Sequence, residues 1–124
     1  MYIYVLRLTE KKYYVGRTNH LIDRIEAHVI GRGSEWTKRY KVIRLVKSYE
    51  TNDMYDDEKE TRRCMSRYGI QNVRGGSYSK MEINEEEIKR LKREIRGSEG
   101  RCYYCGRRGH YWNECYRKYL FSDL

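Results

Sequence analysis

Residues 102–115 place three thiols and an imidazole (Cys102, Cys105, His110, Cys115) at C-x2-C-x4-H-x4-C spacing, a pattern that leaves little choice of fold. A two-residue gap lets one tight turn present both sulfurs to a single ion. The later histidine and cysteine then close a tetrahedron around Zn2+. Gly106 and Gly109 free the backbone to wrap closely around the metal. So short a segment has almost no core, so metal binding must supply its folding free energy, on the order of 10 kcal/mol. Cys64 stands apart from this group. No basic stretch followed by an apolar run opens the chain at Met1-Tyr2-Ile3-Tyr4. The expected setting is therefore intracellular, cytoplasm or nucleus, rather than secreted, where cysteines serve metals more often than disulfides. No run approaches about 18 apolar residues, so neither a membrane helix nor a membrane partner is expected.

The module resembles the zinc knuckle of retroviral nucleocapsids and cellular RNA-binding proteins, ligand for ligand and glycine for glycine. In that family an aromatic residue after the first cysteine and an apolar one two after the histidine form a cleft for an unpaired base. Tyr103 and Trp112 occupy those positions, and base stacking of this kind contributes about 1–3 kcal/mol. Arg107 and Arg108 are placed to hold the adjoining phosphates. The plainer alternative is a zinc staple that binds protein, or nothing.

The rest of the 124-residue chain has room for one modest domain. Mean hydropathy is −1.03, and tyrosine supplies 14 of the aromatic residues against two tryptophans and one phenylalanine. The core must then be small and tyrosine-rich, with many phenols at its rim or on a binding surface. A formal charge of +9 attracts polyanions and speeds their encounter. Residues 2–8 alternate as a strand, Thr9–Lys12 is turn-like, and Tyr13-Tyr14-Val15-Gly16 resumes the pattern, which predicts a β-hairpin. Leu21, Ile22, Ile25 and Val29 fall at helical spacing, with Thr18 or Asn19 able to cap the start. Gly31 and Gly33 end that helix in a basic loop, and Trp36 falls in a short helical turn. Lys41–Tyr49 reads as a third strand, 52–68 as a second helix stopped at Gly69, and 72–78 as a loop. Asn84 caps a third helix through Arg96, glutamates first and cations later, an order that suits the helix dipole. The divisions that follow are an α/β domain over 1–79, a surface helix within 80–97, a linker at 98–101, the zinc module at 102–115 and a tail at 116–124.

Within the first domain, Tyr4 and Tyr14 sit on adjoining strands, Arg24 and His28 share a helix face, and Asp56, Asp57, Glu58 and Glu60 cluster at the start of the second helix. This arrangement resembles the GIY-YIG nuclease domain. Tyr2-Ile3-Tyr4 stands where that family has Gly-Ile-Tyr, Tyr14-Val15-Gly16 is similar to Tyr-Ile-Gly, and Arg24 and His28 match the family's arginine and the histidine that follows it. The family's later helical glutamate falls at Glu58 or Glu60, and its loop asparagine at Asn72. Two features depart: Tyr2 replaces the first glycine, and the glutamate is not unique. Glu58 is favoured because it lies two turns before Met65 on one helix face.

The resemblance implies a small α/β fold, a three-stranded antiparallel sheet flanked by helices, and phosphodiester hydrolysis. Glu58 would hold Mg2+ or Mn2+, and Tyr4 would act as general base, its phenol acidified by Arg24 and the metal. Tyr14 and His28 would position the phosphate, Arg24 would offset its added charge, and Asn72 would support the site. Arg17 and Arg74 are expected to hold the strand on either side. The expected partner is DNA or RNA with single-stranded character. The competing reading is a nucleic-acid-binding or chaperone protein on an inactive nuclease fold. The pairing of modules in so compact a chain would suit a virus or mobile element.

Overall fold

A computed structural model describes residues 1–98 of the chain. The alternation over Tyr2–Leu8 becomes the central strand, β1, with Ile3, Tyr4, Val5, Leu6 and Leu8 all buried. Successive side chains point to opposite faces, so a strand buried along nearly its whole length must be covered on both. Tyr4, Leu6 and Leu8 form one cluster with Trp36. β1 pairs antiparallel with β2 (Tyr13–Thr18) through the hairpin, Tyr4 opposite Gly16. Its other edge pairs antiparallel with β3 (Val42–Glu50).

The sheet differs from expectation by one strand. Its order is β3-β1-β2-β4, and β4 (Val73–Gly75) runs parallel to β2. The expected three-stranded antiparallel sheet is therefore a mixed sheet of four. Three residues drawn from Asn-Val-Arg-Gly-Gly carry no readable alternation and look like a turn. Their pairing depends on Gly75, where a Cβ would lie 2.3 Å from the Val15 carbonyl oxygen.

Helix α1 (Leu21–Val29) begins without a side-chain cap. Thr18 Oγ1 instead accepts from the His20 amide at 3.0 Å, one turn before the helix, which corrects the expected capping by Thr18 or Asn19. Trp36 lies in α2 (Glu35–Arg39), whose cap Ser34 accepts the Thr37 amide at 3.2 Å. Helix α3 (Asp56–Tyr68) starts four residues later than the pattern suggested. Thr51–Tyr55 forms a hydrogen-bonded turn, with Asp53 Oδ1 accepting the Tyr55 amide at 2.8 Å. Gly69, at φ +102°, stops the helix as expected.

The chain divides into two compact units, Met1–Glu82 and Ile83–Leu124. In the second, Asn84 Oδ1 accepts the Glu87 amide at 2.9 Å and opens α4 (Glu85–Ser98), the predicted capping arrangement. No helix among the described residues is long and apolar enough to cross a membrane.

Arg74 overturns its expected place on a nucleic-acid surface. It is 1% exposed. Its guanidinium donates to the carbonyls of Ile70 (2.8 Å), Val73 (2.7 Å), Lys80 (2.5 Å) and Met81 (3.2 Å), and lies 4.4 Å from the centre of the Trp36 ring. A rigid five-donor fork gathers a bend of carbonyls that no other side chain could satisfy at once. Arg74→Ala should therefore cost at least about 2 kcal/mol in urea unfolding, because it leaves buried acceptors unpaired. Arg74→Lys should recover little of this loss. Unchanged stability with weakened nucleic-acid binding would restore the surface role.

Candidate active site

The first group of predicted residues assembles around Tyr4. Gly16 faces it across the hairpin, and a Cβ there would lie 2.2 Å from the phenol oxygen. The glycine of Tyr14-Val15-Gly16 is thus required by the close approach of a neighbouring ring. His28, in the last turn of α1 and 1% exposed, sets its Nε2 2.8 Å from the Tyr4 hydroxyl. Its Nδ1 is 2.8 Å from Thr37 Oγ1 in α2. Gly33 permits this packing, since a Cβ there would lie 2.0 Å from His28 Nδ1. The Tyr14 ring centre is 4.9 Å from that of His28 and 6.4 Å from that of Tyr4. Arg24, one helical turn before His28, lies close enough for its charge to act on the phenol.

Burial dominates the electrostatics. It pushes the Tyr4 phenol up to about 12, helped by Tyr14, while the hydrogen bond and charge of Arg24 oppose the shift. Burial first, and the Arg24 charge second, bring His28 down to about 4. At neutral pH the pair is therefore a protonated phenol against a neutral imidazole.

Arg17, the next residue along β2 from Gly16, opens onto a cleft of about 460 Å3 shared with Met54, Tyr55, Asp57, Glu58 and Gly76. Arg17 donates to the Met54 carbonyl at 2.7 Å and lies 3.7 Å from the Asp57 carboxylate. Glu58 is half-buried, and among the described residues no hydrogen bond or ion pair engages its carboxylate. Gly76 packs against it, leaving only 3.0 Å between a would-be Cβ and Glu58 Cγ. Glu60 is 1% exposed and ion-paired to Lys47 at 2.7 Å and Arg63 at 3.7 Å. Mg2+ takes one or two carboxylates together with water and substrate phosphate oxygens. The unengaged oxygens of Glu58 fit that role, and the neutralised ones of Glu60 do not.

Asn72 does not join either group. Its Oδ1 accepts from Lys12 Nζ at 2.9 Å and its Nδ2 donates to the Tyr68 carbonyl at 2.8 Å. That places it at the Tyr13 end of β2, three residues or roughly 10 Å along the strand from Gly16. The expected support of the site by Asn72 is thereby corrected. The zinc ligands Cys102, Cys105, His110 and Cys115, with Tyr103, Arg107, Arg108 and Trp112, lie outside the described residues.

Sequence reasoning missed Gly33 and Thr37, although Ser34 three residues before Thr37 is a helix-start pattern that would have fixed α2 beside the loop. It also missed Met54 and Tyr55, which are 59% and 63% exposed at the rim of the cleft. Large apolar groups held in water beside a carboxylate are the signal there.

A model of the GIY-YIG catalytic domain matches residues 1–63. The chain belongs to the GIY-YIG family. It is also 34% identical over 55 residues to the UPF0213 protein of Pediococcus pentosaceus, across 44% of this chain and 58% of that protein. The chain thus spans under two thirds of the length of this curated relative. No solved structure gives a significant match. In this GIY-YIG chain the two motif tyrosines stand beside His28 and Arg24, and the family points to a nuclease acting on nucleic acid.

The buried imidazole makes a pH prediction. A folded-state value near 4 against an unfolded value near 6.5 means that the unfolded chain binds the extra proton first. The stabilising contribution of a neutral His28 is fully present above about 6.5 and is lost as pH falls toward 4. In an NMR titration the His28 ring signals should move with a midpoint near 4, whereas a midpoint near 6.5 would contradict the buried environment.

Proposed function

We propose that the chain is a metal-dependent endonuclease that hydrolyses phosphodiester bonds in DNA, with RNA as the alternative substrate. The observation that carries this reading is the pairing of two features. One is the Tyr4–His28 hydrogen bond flanked by Arg24. The other is the unengaged carboxylate of Glu58 in the cleft that opens at the next residue of β2.

Glu58 would hold Mg2+ or Mn2+, which supplies positive charge beside the scissile phosphate when bound. Tyr4 would take a proton from the attacking water as its own phenolic proton passes to the hydrogen-bonded His28, and Arg24 would offset the negative charge that develops on the phosphate. Tyr14 and His28 orient the groups around the phosphate. Arg17 holds the adjoining strand by its phosphates, and the exposed ring of Tyr55 offers a face on which a base can stack.

In the same reading, Cys102, Cys105, His110 and Cys115 bind Zn2+. Tyr103 and Trp112 then stack on an unpaired base while Arg107 and Arg108 hold phosphates. Tethering this module to the nuclease domain raises the local concentration of substrate at the site. Substrates with single-stranded parts, such as flaps, junctions or hairpin loops, suit the combination, as does an intracellular setting. A second reading, a nucleic-acid-binding or chaperone protein that cuts nothing, is favoured by one observation: Asn72 is engaged by Lys12 and Tyr68 away from the site.

The test is cleavage of labelled single-stranded, duplex, flap and junction DNA and of RNA hairpins by zinc-loaded protein. Reactions contain Mg2+ or Mn2+, with EDTA as control. Tyr4→Phe and Glu58→Ala should each lower the rate by about 100-fold or more, while Glu60→Ala should act chiefly on stability. Stripping zinc should weaken binding of unpaired strands. Binding without cutting on every substrate would leave the second reading.

A further inference from the structure

A phenol, an imidazole and a threonine hydroxyl lie in a buried row, and their hydrogens can be counted. Tyr4 OH meets His28 Nε2 at 2.8 Å, and His28 Nδ1 meets Thr37 Oγ1 at 2.8 Å. Thr37 Oγ1 in turn lies 3.2 Å from both the carbonyl and the hydroxyl oxygen of Ser34. Tyr4, His28 and Thr37 are each 1% exposed, so in the free protein a hydrogen left over in this row must find a protein acceptor.

Two arrangements are open to a neutral ring. If Nε2 carries the hydrogen, it donates to the Tyr4 oxygen. The phenol's own hydrogen is then left without an acceptor, since His28 is the one acceptor that the Tyr4 hydroxyl meets among the described residues. If Nδ1 carries the hydrogen, every donor is used. Tyr4 donates to Nε2, Nδ1 donates to Thr37 Oγ1, and the Thr37 hydroxyl donates to the Ser34 carbonyl. An unpaired buried donor is the costlier outcome, so the second arrangement prevails.

We propose that Thr37 is a positioning residue that fixes His28 as its Nδ1–H tautomer, leaving the Nε2 lone pair to receive the proton of Tyr4. This rests on the reading of Tyr4 as the general base. As the attacking water's O–H bond breaks, its proton passes to the Tyr4 oxygen. The original phenolic proton passes to His28 Nε2, and the resulting imidazolium keeps its Nδ1–H bond to Thr37. Two O–H bonds break, one O–H and one N–H bond form, and the positive charge ends on the ring. The fold supports this alignment through Ser34, which caps α2 and so holds Thr37 in place. Gly33 supports it too, by giving the ring room at Nδ1.

The experiment is a 15N-histidine NMR correlation spectrum of the full zinc-loaded chain near neutral pH, which distinguishes the two tautomers directly and needs no substrate. Wild-type protein and Thr37→Ser should show His28 protonated at Nδ1. Tyr4→Phe should keep the Nδ1–H form, because Thr37 remains to accept from it. Tyr4→Phe combined with Thr37→Val, which leaves neither ring nitrogen a partner, should move the hydrogen to Nε2, the site a free neutral imidazole prefers. An Nε2–H ring in the wild type would overturn the inference even if the double variant does not fold. So would a Tyr4→Phe ring that swaps, or a double-variant ring still protonated at Nδ1. On a cleaved substrate, Thr37→Val should lower kcat by roughly tenfold or more with KM little changed, and Thr37→Ser should restore it. A loss in KM alone would also overturn it. The expected tautomers in a protein that cuts no substrate would sink the nuclease reading and keep the Thr37 assignment. Cutting by a wild type that shows the Nε2–H form would do the reverse.

Discussion

A phenol and an imidazole hydrogen-bonded at 2.8 Å inside the first unit impose demands on four separate parts of the chain. Gly16 must lack a side chain because the Tyr4 ring passes across it, and Gly33 must lack one because the His28 ring does. Helix α1 must present His28 inward at its last turn, and α2 must bring Thr37 to the other ring nitrogen. β1 is buried along nearly its whole length. Tyr4 shares its face with Leu6, Leu8 and Trp36, so the residue proposed to do the chemistry is also a core residue. A substitution there changes packing and chemistry together, which is why the isosteric Tyr4→Phe is more informative than truncation.

Charge is sorted by the sheet into structural and chemical uses. Two arginines that look equivalent in a list of cations have opposite fates. Arg17 is exposed at the cleft, while Arg74 is enclosed by carbonyls and the Trp36 ring. The two glutamates of α3 separate in the same way. Residues two apart on a helix point roughly 200° from each other, so Glu60 meets Lys47 and Arg63 while Glu58 turns to the cleft. Of the two glutamates, Glu58 is the one whose carboxylate no hydrogen bond or ion pair engages among the described residues, and it lines the cleft with Arg17.

Much of this was legible because strong local signals agreed with one another. The alternation of Tyr2–Leu8, the hairpin to Tyr13, the stop at Gly69 and the cap at Asn84 each carry a period or a turn chemistry readable from a few residues. The grouping of Tyr4, Tyr14, Arg24 and His28 came from order and spacing together. What escaped depended on tertiary contact. β4 is too short to show a period and is defined by β2 beside it. Arg74 reads as a surface cation until the bend over residues 70–81 wraps its carbonyls around the guanidinium. Asn72 has the right type and order, yet Lys12 and Tyr68 claim both ends of its amide. Thr37 gave no sign of its use, because nothing in a sequence tells a capped helix which neighbour its second hydroxyl will meet.

The claim on which the account turns is that the catalytic cation belongs to the cleft of Arg17 and Glu58. Paramagnetic broadening by Mn2+ reads this directly in 15N-labelled protein bound to an uncleavable nucleic acid. The account predicts that the amide signals of Arg17, Glu58 and Gly76 broaden first, while those of Lys47 and Glu60 persist. Broadening centred on Glu60, or none in the cleft, would contradict it.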